Sequence, residues 1–360
     1  MRTQLANAKR IVIKVGTRVV TREDGRVALG RIGMLIEQIA ELREGGVQVL
    51  LVSSGAIGLG ADRLGLEPKN VIDQQACAAA GQGALVAFYD ALTRRLGMRT
   101  AQVLLTDGDF HDRRRYVNLS SALERLLALG ALPVINENDA VSTAGLDPER
   151  ARIFGDNDRL AALVAAGLDA DVLVLLTNVD GLFTAPPDEE GAERISVFSH
   201  DAVRIGAVSH GGRGGMGAKV EAARVANAAG VSVVVANGFA PRILHKVLSG
   251  EDVGTLFVAE AREGRARTWL RFATSPAGLL IVNEGARDAM VERNASLLPV
   301  GCVRIEGDFG PGEVVAIAGE DRVPFARGVC KPSSEEARTR LGKRGEAVLV
   351  HRSRLIFVTA

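Results

Sequence analysis

Six short apolar runs constrain the fold more than anything else in this chain. They occupy residues 11–15, 47–53, 100–105, 132–135, 171–176 and 231–236 and are rich in Val, Ile and Leu. None alternates apolar with polar residues, so each reads as a strand buried on both faces rather than one wet on one side. Helical patterns lie between them. Ile32, Leu35, Ile36, Ile39 and Ala40 form an i, i+3, i+4, i+7, i+8 stripe that ends at Gly45-Gly46. Residues 70–96, 116–129, 157–166 and 217–229 are further helix candidates. Strands separated by helices imply an open, mainly parallel α/β sheet covered by helices on both faces.

The texture changes near residue 261. Short strand-like pieces at 278–282, 301–305, 313–317, 347–350 and 355–358 follow, punctuated by Gly and Pro, with one short helix over 284–293. This reads as a small β-rich, barrel-like domain. The expected division is an α/β domain over 1–260, a linker over 261–270 and the β-rich domain over 271–360.

Composition then excludes several classes. Lys and Arg total 44 against 43 Asp and Glu, so the molecule has no overall basic field for nucleic acid. Residues 265–360 carry 15 basic and 11 acidic residues, a mild tilt. Aromatic residues are 4%, too few for base-stacking platforms. No apolar run approaches the ~20 residues that span a bilayer. The N-terminal apolar stretch contains Lys14 and Arg18, unlike a secretory signal. Cys77, Cys302 and Cys330 are odd in number and far apart, and the five histidines show no metal spacing. A reduced, cytoplasmic protein without a disulfide framework or zinc site is expected.

The chemistry-bearing residues cluster where apolar runs end. Lys14 sits at the end of the first run, before Gly16-Thr17; a buried lysine is costly unless an anion meets it, and a lysine snorkelling from an edge strand is the alternative. In open α/β sheets, ligands bind at the carboxyl ends of strands. Ser53-Ser54-Gly55 follows the second run and suits an anion at a helix start, although a plain N-cap explains it too. Asn136-Glu137-Asn138-Asp139 follows the fourth run and offers hydrogen bonds to a cationic or zwitterionic ligand, with a solvated turn as the alternative. Gly155-Asp156-Asn157-Asp158 opens a helix with more acids than capping requires; one carboxylate could orient lysines or neighbour a metal. Gly211-Gly212-Arg213-Gly214-Gly215-Met216-Gly217-Ala218-Lys219 could wrap phosphates with backbone N–H groups, Lys219 adding charge in the following helix, with a plain flexible loop as the alternative. It is not a Walker A loop, and its G-x-G-x-x-G is a weak dinucleotide signal with no ribose-binding acid about 20 residues on.

Two lysines, a Gly-rich loop and no candidate His or Cys nucleophile point to phosphoryl transfer, which needs positioning and charge stabilisation. A carboxylate acceptor suits best, because it is ionised at neutral pH and needs no general base.

These motifs also resemble a known family. IVIKVGT (11–17), SSGAI (53–57), PVINENDAV (133–141), GDND (155–158) and GGMGAK (214–219) are similar, in order and spacing, to the glutamate 5-kinases of the amino-acid kinase superfamily. SLLPVG (296–301) and GDFGPGEVV (307–315) resemble the PUA domain that many bacterial members carry. The resemblance implies ATP-dependent, Mg²⁺-assisted phosphorylation of L-glutamate at its side-chain carboxylate, the first step of proline synthesis. It implies that Lys14 and Lys219 stabilise the transferring group and that Asp158 orients them. Ser54, Asn136, Asp139 and Asn157 match glutamate-binding positions. Lys14, Thr177, Asn178 and residues 213–219 (Arg213, Gly214, Gly215, Met216, Gly217, Ala218, Lys219) match nucleotide-binding positions. No protein side chain is assigned to a metal. Members are typically homo-oligomeric, inhibited by proline, and hand their product to a glutamyl-phosphate reductase. Asn178 here takes the place of a usual Asp, and Arg213 that of a usual Thr. The rival readings are another carboxylate kinase of the superfamily, an RNA-binding or regulatory protein acting through the tail, and a nicotinamide-dependent dehydrogenase.

Overall fold

The computed structural model describes residues 1–106, 108–141, 157–186, 189–198, 215–259, 270, 276–343 and 347–358. The chain divides into two compact units, Met1–Glu263 and Gly264–Ala360. The expected linker, apart from residue 270, lies outside the described residues.

The first unit holds an eight-stranded sheet. Its strands are β1 (Arg10–Val15), β2 (Gln48–Ser53), β3 (Arg99–Leu105), β4 (Ala131–Glu137), β5 (Val172–Thr177), β6 (Val197–Phe198), β7 (Ser232–Asn237) and β8 (Thr255–Phe257). Their order is β3-β4-β2-β1-β5-β7-β8-β6. Every neighbouring pair is parallel except β7 with β8. The six apolar runs are thus six strands, and β1 is central.

The expectation of burial on both faces holds for β1, β2, β4, β5 and β7 but not for β3, which is an edge strand and half-exposed along most of its length. An edge strand lacks a neighbour on one side, so an apolar run alone does not reveal its exposure. Strands β6 and β8 and the short helix Ile243–Leu248 complete the unit at the other end.

Side chains alternate across the sheet. Ile11, Ile13 and Val15 of β1 join Val49 and Leu51, Leu132 and Val134, and Val172 and Val174 in one core. Helices Leu29–Glu44, Ala56–Leu64, Val71–Arg95 and Ile243–Leu248 cover that face; the 32–39 stripe and Leu85 and Tyr89 pack into it. Lys14 therefore points to the opposite face. There lie helices Asn157–Gly167 and Met216–Ala228. From Leu160 to Gly167 every residue is buried, as expected of a helix that is apolar all round. The run Arg113-Arg114-Arg115 is exposed, as a solvated helix face should be.

The second unit is a five-stranded sheet of β9 (Gly278–Val282), β10 (Cys302–Glu306), β11 (Val314–Ala318), β12 (Pro324–Cys330) and β13 (Val350–Phe357), ordered β10-β9-β11-β12-β13. It has its own core around Leu280, Val282, Met290, Val315 and Ile317. The helix Glu284–Arg293 forms where expected, capped by the Asn283 side chain accepting from the Ala286 N–H. Two differences stand out. The pieces at 347–350 and 355–358 are joined by one strand, β13, which begins only at Val350: Val350 pairs with Cys330 and Leu355–Phe357 pair with Gly328, Arg327 and Ala326 of β12, across a register shift that takes up the polar residues between them. Strand β12 and helix Ser334–Arg340 lack a continuous apolar signal and emerge only in the folded unit.

Candidate active site

Strands β1, β2, β4, β5 and β7 run parallel, so their carboxyl ends share one edge. Lys14 is the penultimate residue of β1, in register with Val52 of β2 and Leu175 of β5. Ser54 follows β2, Asn136 lies near the end of β4, and Thr177 ends β5 opposite Asn237 of β7. At this edge β1 and β5 continue as a tight pair: the Gly16 N–H donates to the Leu176 carbonyl at 3.2 Å. Gly55 has φ 109°, a conformation glycine adopts without strain, and so turns the chain from β2 into helix Ala56–Leu64.

The two lysines meet on one carboxylate. Lys14 Nζ lies 2.7 Å from Asp158 Oδ1, and Lys219 Nζ lies 3.0 Å from Asp158 Oδ2. Asp158 is fully buried; Lys14 and Lys219 are 4% and 5% exposed. Asp158 comes from the first turn of helix Asn157–Gly167 and Lys219 from the first turn of helix Met216–Ala228. Both helices lie on the face of the sheet that Lys14 enters. Burial opposes ionisation of Asp158, but the two ammonium groups outweigh it and hold its carboxyl below the usual carboxylate range. Two cations thus meet on one anion in this bridge. With helix N-termini 56–64, 157–167 and 216–228 starting nearby, this is a setting for phosphate.

A second cluster crosses the strand ends. The Asn157 Nδ2 group donates to Ser54 Oγ at 2.9 Å and to Asn136 Oδ1 at 3.0 Å. Asn136 Nδ2 donates in turn to Gln82 Oε1 at 2.7 Å. Asn136 and Gln82 are buried. Asp139 is half-buried in the turn after β4.

The structure thus brings Lys14, Lys219 and Asp158 together, and Ser54, Asn136 and Asn157 together. Thr177 and Asn178 stand on the same edge, between β1 and β7, with Thr177 Oγ1 3.5 Å from Asn178 Oδ1. Gly215, Met216, Gly217 and Ala218 lead into Lys219. Arg213 and Gly214 lie outside the described residues, as do Gly155 and Asp156. Sequence reasoning misses Gln82, and also the pair in which Asn237 Nδ2 donates to Asp180 Oδ1 at 2.9 Å beside Thr177. Gln82 does carry a signal: it is a polar residue among Ala78, Gly81, Leu85 and Tyr89, the buried stripe of its helix.

No group of three or more His, Cys, Asp or Glu side chains suited to a metal occurs among the described residues. Asp158 is engaged by two lysines, and Glu137, the last residue of β4, is buried at the same edge. Such a donor set fits a Mg²⁺ ion that arrives on nucleotide phosphates better than a metal held by a protein cage.

Residues 9–237 match the model of the amino acid kinase family, 229 of the 360 residues and the stretch that contains every site residue above. The chain belongs to the amino acid kinase family. Residues 278–353 match the PUA domain model and contain all but the last four residues of the second sheet. Among curated relatives, a glutamate 5-kinase of Caldanaerobacter subterraneus subsp. tengcongensis is 43% identical over 91% of this chain and 89% of that protein. Glutamate 5-kinases of Polaromonas naphthalenivorans and Myxococcus xanthus are each 42% identical over 98% of this chain, covering 97% and 94% of those proteins. In this amino acid kinase the mainly parallel open sheet is the expected fold, and the lysine pair lies at its carboxyl edge.

Proposed function

We infer that the chain transfers the γ-phosphoryl group of ATP to the side-chain carboxylate of L-glutamate, giving ADP and L-glutamyl 5-phosphate, the first step of proline synthesis. The observation that carries this reading is the Lys14–Asp158–Lys219 bridge at the carboxyl edge of the sheet. The name shared by relatives at 42–43% identity over most of the chain supports the substrate.

The chemistry follows from charge. A carboxylate oxygen of glutamate attacks the γ-phosphorus while the bond from that phosphorus to the β,γ-bridging oxygen breaks. ADP leaves with the electron pair, and no proton need move. The obstacle is repulsion between an anionic acceptor and an anionic triphosphate. Lys14 and Lys219 offset it at the transferring group, Asp158 holds both in place, and Mg²⁺ enters with the nucleotide as part of the substrate. Ser54 and the main-chain N–H of Asn157 bind the α-carboxylate; Asn136 and Asp139 bind the α-ammonium. Thr177, Asn178 and the loop from Arg213 to Lys219 bind the nucleotide.

The test is hydroxamate formation from L-glutamate, MgATP and hydroxylamine. Turnover with glutamate but not with aspartate or acetylglutamate, lost in Lys219→Ala, is the expected result. Preference for another carboxylate would move the chain elsewhere in its superfamily. The same assay with added proline tests feedback inhibition, and with a glutamyl-phosphate reductase tests hand-off of the product. Sedimentation tests the expected homo-oligomer. A cytoplasmic location is part of this reading and agrees with the three cysteines being free and buried. No helix among the described residues is long and apolar enough to cross a membrane.

A further inference from the structure

Gln82 has no role in the reading above, yet it is built into the site. It sits on helix Val71–Arg95, 9% exposed, and its neighbour Gly81 brings the helix close. A Cβ on Gly81 would stand 1.8 Å from the Ala56 carbonyl oxygen, and one on Gly60 would stand 1.7 Å from the Cys77 carbonyl oxygen. Only two glycines facing each other's backbones let helices 56–64 and 71–95 approach so closely. That approach is what carries the Gln82 amide to Asn136.

The hydrogen bonds have a direction. Gln82 Oε1 accepts from Asn136 Nδ2, so Asn136 presents its carbonyl to Asn157. The Asn157 Nδ2 group then donates to Asn136 and to Ser54. An amide has two donors on one side and an acceptor on the other, so each link fixes the next. Two atoms remain at the ends of this relay, both buried and without a partner among the described residues: Gln82 Nε2, a donor, and Asn157 Oδ1, an acceptor. Ser54 Oγ accepts from Asn157, which leaves its O–H to donate. A donor for a carboxylate and an acceptor for an ammonium are the complement of the zwitterionic head of an α-amino acid.

Gln82 also lies on the opposite side of the sheet from Lys14, because its helix packs on the Ile13 and Val15 face. It reaches the Ser54–Asn136–Asn157 cluster, which the reading above gives to the head of the substrate and not to the carboxylate brought to the lysines.

We propose that Gln82 is a substrate ligand: its Nε2–H donates to the α-carboxylate of the amino-acid substrate, while its Oε1 sets the orientation of the Asn136 and Asn157 amides. The proposal rests on the glutamate reading. Gln82→Glu separates the two duties. A carboxylate at this position still accepts from Asn136 Nδ2 and keeps the relay, but it replaces the donor with an anion facing the substrate carboxylate.

The full chain is assayed by hydroxamate formation, with KM for glutamate and for MgATP measured from pH 6 to 9 and folding checked by thermal melting. The expected result is a KM for glutamate raised roughly 10- to 100-fold at pH 8 in Gln82→Glu, with KM for ATP and kcat within about threefold of wild type. A ratio below threefold overturns the proposal. If Gln82→Glu does not fold, Gln82→Met, uncharged and of similar length, should raise KM for glutamate at unchanged KM for ATP; an unchanged KM for glutamate overturns it. Failure of the wild type to use glutamate would instead refute the functional reading.

Discussion

The contact between helices 56–64 and 71–95 offers a sharp test, because it turns on one hydrogen atom. In Gly81→Ala the new methyl would stand 1.8 Å from the Ala56 oxygen and 2.5 Å from the Gly60 nitrogen. Both obstacles are backbone atoms, so no side chain can swing aside and the helices must part by more than an ångström. Overpacking of this kind costs about 1–3 kcal/mol, and an immovable obstacle places it near the top of that range. Alanine returns about 1 kcal/mol through helix propensity. The net expectation is a loss of about 2 kcal/mol, or roughly 4–8 °C in melting temperature for a unit of this size. Gly83→Ala is the matched control. It lies two residues on in the same helix, exposed, with nothing within 4 Å of the place its methyl would take. It should gain roughly 0.5–1 kcal/mol. Urea unfolding of both variants measures the difference, expected near 3 kcal/mol. KM for glutamate should rise in Gly81→Ala alone, since parting the helices draws Gln82 away from Asn136. If Gly81→Ala is as stable as Gly83→Ala, the packing argument and the placement of Gln82 that depends on it are both wrong.

Asp158→Asn keeps the shape of the bridge but removes the charge on which the two buried ammonium groups converge; the hydroxamate rate should fall at least ~100-fold and stability by about 3 kcal/mol. Because the Asp158 carboxyl is held below its ordinary range, its contribution is present above the unfolded carboxylate pKa and lost as pH falls, so the stability gap between wild type and variant should close in acid. Burial pushes the Tyr89 phenol up to about 12, against a hydrogen bond shared with Ser53 that lowers it. Between about pH 10 and 12 the unfolded chain loses this proton and the folded one keeps it, so stability should drop by up to about 3 kcal/mol. Tyr89→Phe should remove that part of the alkaline loss, read from urea melts at pH 9 and 11. Burial likewise raises the Cys302 and Cys330 thiols to about 12. Both should react with a maleimide far more slowly in the native protein than in urea, as mass spectrometry of quenched samples would show.

Much of this architecture is legible in one dimension. The runs at 11–15, 171–176 and 231–236 are β1, β5 and β7 to within a residue at each end, because an unbroken apolar run bounded by turns has few other solutions. The site is legible for a related reason. Lys14, Ser54, Asn136 and Thr177 all sit at or just past the ends of such runs, and a parallel sheet sends those ends to one edge. The half-exposure of β3 is not legible, since it depends on the strand having a neighbour on one side only. Strand β12 escapes notice because its Arg327 and Gly328 interrupt the apolar pattern.

Element type and the chemistry at each strand end are written locally, in residues a turn or a pleat apart, where sterics and periodicity act without help from the rest of the chain. Strand order, the face on which a side chain emerges and the direction of the amide relay are not local. Lys219 and Asp158 are 61 residues apart in the chain, and Asn136 and Gln82 are 54. No rule of spacing links such pairs. They meet because the β1, β5 and β7 pairing brings two helices onto the Lys14 face, and because two glycines let a third helix close on the other.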